Sequence, residues 1–315
     1  MEMGNAFYDT KSFKGEYLAH LSSDGRQQLL PEHLKNVAKL AKNEGEKIEL
    51  GELMFLAGMF HDFGKYSDEF QSYIRHEEGV SGARGSVNHS SAGARWIITK
   101  LGKKGKPSLW TEMIGYAISA HHGLYDVVSD EGENKFEKRL TEPECYEEIC
   151  QKFEQELLDA FDLKSVYFSA KSEWKKIENG IDQLGKSTVK QNEHAAMMAE
   201  TQQFYLGCVQ RLVLSMLIDA DWTDTSLFEQ GKETTGFQCE KIFRESSSNL
   251  AHYVEKLGVE QSKHLRSDKE QKIVYLRNQI RMECIAFAER PAGIYCLPVP
   301  TGGGKTLSGL AYALE

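Results

Sequence analysis

None of the six cysteines in this 315-residue chain stands in a C-x-x-C pair, so neither a disulfide framework nor a zinc knuckle is implied. Long apolar runs are also missing. The longest, Leu53 to Phe60, has eight residues, against the roughly 20 needed to span a bilayer. The first twenty residues have no apolar core of the kind a secretory signal needs. These absences point to a cytoplasmic protein with reduced thiols and no membrane partner. Alternating strand patterns are scarce before about residue 235, and no internal repeat is visible. Positive charge is short as well: 38 basic residues face 47 acidic ones, a net of −9. Taken as uniform, that balance argues against a nucleic-acid partner. What the chain does have is core. With 40% hydrophobic and 27% charged residues, it reads as one large globular domain or two ordinary ones, which excludes disordered and low-complexity classes.

Helical periodicity dominates up to about residue 235. Leu30, Leu34, Val37, Ala38 and Ala41 share one helix face. Leu53, Phe55, Leu56, Met59 and Phe60 crowd a second helix, apolar nearly all round and therefore expected to be buried. Met113, Ile114, Ala117 and Ile118 form a third stripe, and Leu214, Leu217 and Ile218 a fourth. Residues 225–265 are polar and read as a connection. Beyond them Ser267 to Glu270 is a capping-box signature opening a helix to about Glu289. A short strand at 293–299 and the glycine-rich run Pro300 to Thr306 follow, then an apolar helical stretch from Leu307 to Leu314.

Five of the ten histidines, with two aspartates, occupy positions that matter together. His61-Asp62 ends the buried helix and precedes Gly64, and His121-His122 ends the third apolar helix before Gly123, each glycine suiting a helix C-terminus. His33 lies one turn before Val37, and His89 opens a helix carrying Ala92 and Trp96. Asp221 extends the stripe of Leu217 and Ile218. So many polar groups beside apolar faces are unfavourable unless each finds a partner, and a metal cluster would satisfy them together.

The ordered set His33, His61-Asp62, His89, His121-His122 and Asp221 resembles the HD superfamily of metal-dependent phosphohydrolases. More narrowly, the chain is similar to the HD nuclease of the CRISPR-associated type I helicase-nuclease. The stretches that carry the likeness are YLAH at 17–20, EHLKNVAKLA at 32–41, HDFGKYSDEFQSYI at 61–74, NHSSAGA at 88–94, SAHHG at 119–123 and DADWTDT at 219–225. LRNQIR at 276–281 and PTGGGKT at 300–306 continue it to the end. The resemblance implies an all-α HD helical bundle over 1–235, a linker over 236–270, and the truncated start of an α/β RecA-like helicase domain over 271–315.

It also implies roles. His33, His61, Asp62 and Asp221 would hold one metal, and His89, His121 and His122 a second, with Asp62 bridging. The family pattern places the ligand directly before Trp222, hence Asp221 rather than Asp219. Lys65, three residues after Asp62, would meet a substrate phosphate as a catalytic cation. His20 receives no ligand role, and His76, His194, His252 and His264 read as surface residues. Five imidazoles around two cations favour manganese, cobalt, nickel or iron, with magnesium possible. The implied substrate is single-stranded DNA, and the implied partner is the CRISPR surveillance complex. The alternative is an HD phosphohydrolase acting on nucleotides or cyclic nucleotides, which leaves the phosphate loop unexplained. A non-catalytic adaptor would be expected to have lost ligands.

In the phosphate loop, Gly302, Gly303 and Gly304 would cradle phosphates, Lys305 would pair with them and Thr306 would hold magnesium. Val299 stands where the strict pattern has glycine, a departure ordinary for superfamily 2 helicases. Nine residues follow Thr306. ATP and magnesium are therefore expected to act only in a full-length helicase. Lys100, Lys103, Lys104 and Lys106 cluster between the His89 and His121 helices without interleaved aromatics, and read as a solvated loop. The charge itself is localised. Between Asp126 and Asp162 there are 13 acidic and four basic residues, while the rest of the chain carries 34 of each sign. That segment reads as a solvated insertion on the helical core, so the net charge does not weigh against DNA elsewhere.

Overall fold

A computed structural model describes residues 17–75, 87–104, 106–141, 145–157, 160–188, 195–231, 239–262, 267–291, 293 and 295–315. They fall into two compact units, Met1–Thr234 and Thr235–Glu315. Twelve α-helices, a 3-10 turn, a π-helical turn and one two-stranded sheet make up the regular structure of the described residues. None of these helices is long and apolar enough to cross a membrane.

The first unit opens with an antiparallel hairpin, β1 (Leu18–Leu21) and β2 (Gln27–Leu29). Gly25, at φ 85°, takes the left-handed turn between them. The chain passes directly into α1 (Leu30–Glu46), with Pro31 in its first turn, where a missing amide hydrogen is harmless. Leu30, Leu34, Val37, Ala38 and Ala41 are fully buried, as their spacing predicts. They pack on α2 (Gly51–Phe60), in which every residue but Glu52 is buried. The two helices approach so closely that a Cβ on Gly58 would lie 2.6 Å from the Ala38 Cα.

Around α2 stand α4 (Ser91–Trp96), α5 (Leu109–Ala120), α8 (Leu163–Thr188) and α9 (Ala195–Glu229). Between α2 and α4 lie a short 3-10 turn, Phe63–Tyr66, and α3 (Asp68–Ile74). The N-terminus of α2 is capped from a distance. Glu173 of α8 accepts from the Glu52 and Leu53 amides at 3.0 and 2.9 Å, satisfying two of the donors every helix start leaves open. At the other end of the unit, Arg26 donates to the carbonyls of Phe228 and Glu229 at the end of α9.

Two expectations change in this unit. Neither Gly64 nor Gly123 adopts a left-handed conformation. Gly64 serves close approach instead: a Cβ there would lie 2.3 Å from the His89 carbonyl oxygen, and its amide donates to that oxygen at 3.0 Å. Gly93 does the same for α4, where a Cβ would sit 1.8 Å from the Phe60 carbonyl oxygen. The acidic segment is also more than a solvated insertion. It carries α6 (Lys135–Thr141) and α7 (Tyr146–Glu156), and it buries Phe136, Tyr146, Ile149, Phe153 and Leu157. The Phe153 ring lies 4.8 Å from Phe63 and 5.0 Å from Phe60. On α7, Glu147 and Glu154 are exposed while an apolar stripe at 146, 149, 153 and 157 joins the core.

The second unit contains α10 (Cys239–Ser262), α11 (Asp268–Phe287) and α12 (Lys305–Leu314). Within the stretch read as a linker, 239–262 is therefore helical. Ser267 and Glu270 form the reciprocal capping box of α11. The described residues of 293–299 form no strand, because none of them pairs with a neighbouring strand. In the glycine-rich loop Gly302 and Gly304 stand at φ 83° and 86°, conformations that favour glycine. Arg277 donates to the Gly302 carbonyl at 2.8 Å, and Lys305 and Thr306 open α12.

Candidate metal centre

Five helices or helix ends of the first unit deliver side chains to one point. His33 comes from α1, His61 and Asp62 from the end of α2, His89 from the approach to α4, His121 and His122 from the end of α5, and Asp221 from α9. The two glycine contacts described above fix this convergence: Gly64 seats the turn after Asp62 on the His89 backbone, and Gly93 seats α4 on Phe60.

The donor atoms divide into two groups, His33, His61, Asp62 and Asp221, and Asp62, His89, His121 and His122, each spanning no more than 4.8 Å. In the first group, His33 Nε2 lies 3.2 Å from His61 Nε2, 3.4 Å from Asp62 Oδ2 and 3.5 Å from Asp221 Oδ1. His61 Nε2 lies 3.3 Å from Asp62 Oδ2 and 3.5 Å from Asp221 Oδ1. In the second group, Asp62 Oδ1 faces Nε2 of His121, His89 and His122 at 3.4, 3.6 and 3.9 Å. His89 and His122 bring their Nε2 atoms to 2.6 Å. The two oxygens of Asp62 are thus shared out, one to each group.

Partners on the far side of each ring orient it. Nδ1 of His61 donates to the Gly58 carbonyl at 2.8 Å, Nδ1 of His121 to Ile118 at 2.6 Å and Nδ1 of His89 to Val87 at 2.9 Å. Assigned from these acceptors, the neutral tautomer of each ring carries its proton on Nδ1 and turns a lone pair inward. Inward lone pairs repel one another unless a proton or cation lies between them. Asp62 Oδ1 and His121 Nε2 are, moreover, buried with no hydrogen-bond partner, which disfavours the fold unless something fills the gap. The donor set of imidazole nitrogens and carboxylate oxygens therefore fits divalent transition-metal ions.

Charge at the site responds to the carboxylates. Burial disfavours the His33 imidazolium, but Asp221, Asp224 and Asp62 outweigh it and raise the His33 pKa to about 10. Burial is likewise outweighed at His61 by Asp62 and Asp221, giving about 9. Burial would raise both carboxyls, yet the Lys65 ammonium and His61 hold Asp62 far below the usual range, and His33 and His61 do the same for Asp221. Lys65 is itself buried. Its Nζ lies 2.6 Å from Asp62 Oδ2, an ion pair short of hydrogen-bond alignment, and 3.2 Å from the Ala19 carbonyl.

Sequence reading passed over Asp224 and Gln28 and gave His20 no ligand role. Asp224 accepts from His33 Nδ1 at 2.7 Å and from Gln28 Nε2 at 2.7 Å. The signal was available, since Asp224 follows Asp221 by three on the same helix face. His20 stands edge-on to His33, ring centroids 4.7 Å apart, and burial drives its pKa down to about 2. His252 is exposed, while His76, His194 and His264 lie outside the described residues. Lys100, Lys103, Lys104 and Lys106 are all exposed.

A helical bundle that gathers histidines and an adjacent His-Asp pair into two donor groups around one shared carboxylate defines a metal-dependent phosphohydrolase of the HD class. The model of the family described as "Cas3, HD domain" matches residues 9–223. The chain belongs to that family, the metal-dependent HD nucleases of CRISPR defence. No curated protein was found to match it.

Proposed function

We propose that this chain hydrolyses the phosphodiester backbone of single-stranded DNA with two divalent cations held side by side across Asp62. The observation that carries the reading is the divided aim of that carboxylate, with Oδ2 at 3.3–3.4 Å from His61 and His33 and Oδ1 at 3.4 Å from His121. His33, His61 and Asp221 would complete one binding set, and His89, His121 and His122 the other. Two such cations supply polarisation of the phosphate, a water acidified near neutral pH and stabilisation of the leaving oxygen. Manganese, cobalt, nickel and iron suit five imidazoles better than magnesium does.

The chain's own residues set the geometry. Backbone carbonyls of Gly58, Val87 and Ile118 hold three rings in position. His122, with 49% of its side chain exposed, forms the solvent-facing edge where a strand would arrive. Lys65 offers its ammonium beside Asp62, where it would meet a substrate phosphate. The CRISPR surveillance complex would deliver the displaced strand. Gly302, Gly303, Gly304, Lys305 and Thr306 would cradle the phosphates of ATP with magnesium within a helicase domain.

Two measurements test the reading together. Protein purified without chelators should carry two transition-metal ions per chain, and manganese-loaded protein should degrade circular single-stranded DNA. Hydrolysis of a nucleotide panel with the DNA left intact would favour the nucleotide phosphohydrolase instead.

A further inference from the structure

The outer hydrogen bonds of the buried rings are not equivalent. His61, His89 and His121 each give Nδ1 to a backbone carbonyl. His33 alone among these four gives it to a side chain, the Asp224 carboxylate at 2.7 Å. Asp224 has 2% of its side chain exposed, and the His33 ring has none. Gln28 of β2 donates to the same Oδ2 at 2.7 Å. A continuous chain therefore runs from the hairpin through Gln28 and Asp224 to the back of the His33 ring.

We infer that Asp224 is a positioning residue that locks His33 in the Nδ1–H tautomer and raises the basicity of its Nε2 toward the cation held with His61, Asp62 and Asp221. The inference rests on the proposed metal reading of that group. A carboxylate behind a ligating imidazole does two things a carbonyl does less strongly. Its charge stabilises the positive charge the ring acquires when Nε2 donates to a cation, and it blocks the ring flip that would turn Nε2 away. A fixed tautomer matters at His33 because its Nε2 meets another inward nitrogen, His61 Nε2, at 3.2 Å. Gln28 fixes the carboxylate in turn, and since its own Oε1 is buried without a partner, its amide is committed to Asp224.

Asp221 and Asp224 thus divide the work on one turn of α9, with Asp221 facing the donor group and Asp224 supporting it from behind. Loss of such an outer carboxylate typically weakens metal affinity by about 10–100-fold.

The test titrates chelated protein with cobalt(II), following visible absorption and bound-metal stoichiometry. Two variants, Asp224→Ala and the isosteric Asp224→Asn, are compared with the parent. Asp224→Ala should bind the cation of the His33 group about 10–100-fold more weakly, leave the affinity of the His89, His121 and His122 group within twofold, and shift the cobalt spectrum. Asp224→Asn, which keeps an acceptor but not the charge, should recover part of the loss. Nitrogen-15 NMR of histidine-labelled parent should show His33 protonated on Nδ1, a readout that does not require either variant to fold. Parent-like cobalt affinity in Asp224→Ala, or His33 carrying its single proton on Nε2 rather than Nδ1 in the zinc-loaded parent, would overturn the inference alone. A parent that takes up no cobalt would overturn the metal reading and this inference with it.

Discussion

His33 and His61 sit beneath the surface with two carboxylates, Asp62 and Asp221, within 3.5 Å of their inner nitrogens. His89 and His122 stand nearer solvent, with only the shared Asp62 oxygen at 3.6 and 3.9 Å. Burial acts on all four rings in the same direction, yet their proton affinities diverge. Aspartates overcome burial at His33 and His61 and raise them to about 10 and 9. At His89 burial prevails and lowers the ring to about 4, and His122 is lowered too, although solvent reaches half its side chain. The inner group without metal is therefore a proton trap, whereas His89 and His122 of the outer group are neutral ligands at neutral pH. A cation entering the inner group must displace protons, and one meeting His89 and His122 need not take a proton from either.

The change that erases the comparison altogether has the largest expected effect. Asp62→Ala removes the one carboxylate common to both groups, so metal content should fall from two ions toward none. Cleavage should drop by about 10³-fold, the upper end of what losing one electrostatic group costs. Retention of two ions by this variant would break the shared-carboxylate reading. A narrower cut follows. Replacing His121 and His122 together with alanine should leave one ion per chain, held by the inner group, with cleavage nearly lost. If both ions left together, the two groups would be one site rather than two.

Acidity separates the groups without mutation. A raised folded-state pKa at His33 and His61 contributes stability that is complete below the ordinary value near 6.5 and is lost as pH rises through about 9 to 10. A lowered value at His89 works oppositely: the unfolded chain takes the proton first, so stability falls as pH drops from about 6.5 toward 4. Thermal melts of chelated protein should therefore lose stability on the alkaline side between about pH 7 and 10. Saturating cation should remove that alkaline loss, because metal replaces the protons whose departure causes it. An alkaline decline of equal size with and without metal would break the contrast.

The sequence made the centre more legible than its supports. Six of the seven residues that converge stand on or at the end of helices with apolar stripes such as Leu34–Ala41 and Leu53–Phe60, so their neighbourhood could be read from them, whereas His89 lies just before α4. Asp224 was missed because it touches no inner nitrogen. Its role exists only through His33, 191 residues away. The hairpin at 18–29 was missed because strands of four and three residues are too short to show alternation. Charge counting hid the buried side of α7, since acids dominate its tally while Tyr146, Ile149 and Phe153 carry its packing. Gly64 and Gly93 read as helix punctuation or nothing at all, because a close approach is a tertiary fact that no local pattern encodes.

Gly64 offers a subtler way to separate the groups. Gly64→Ala pushes a methyl against the His89 backbone, 2.3 Å from its carbonyl oxygen, with backbone rather than a flexible tip as the obstacle. Overpacking of that kind costs about 1–3 kcal/mol. The displacement falls on His89, so the outer cation should bind more weakly while the inner group keeps its affinity. Equal weakening of both would mean that the turn after Asp62 moves instead of the His89 strand of backbone, and that Asp62 itself has shifted.

The smallest effect is expected at the far end of α2. Glu173→Ala leaves the Glu52 and Leu53 amides without their shared cap, a loss of about 1–2 kcal/mol. Each kcal/mol corresponds to about 2–4 °C in melting temperature for a unit of this size. His61 and Asp62 sit at the opposite terminus of the same helix, whose residues other than Glu52 are all buried. If burial along the whole of α2 fixes their position, metal stoichiometry and the inner–outer difference in affinity should survive the lost cap unchanged while the melt moves. If the inner cation is weakened as well, the cap at one end of α2 sets the ligand geometry at the other, and the rigidity of the inner group is a property of the helix termini rather than of the core around it.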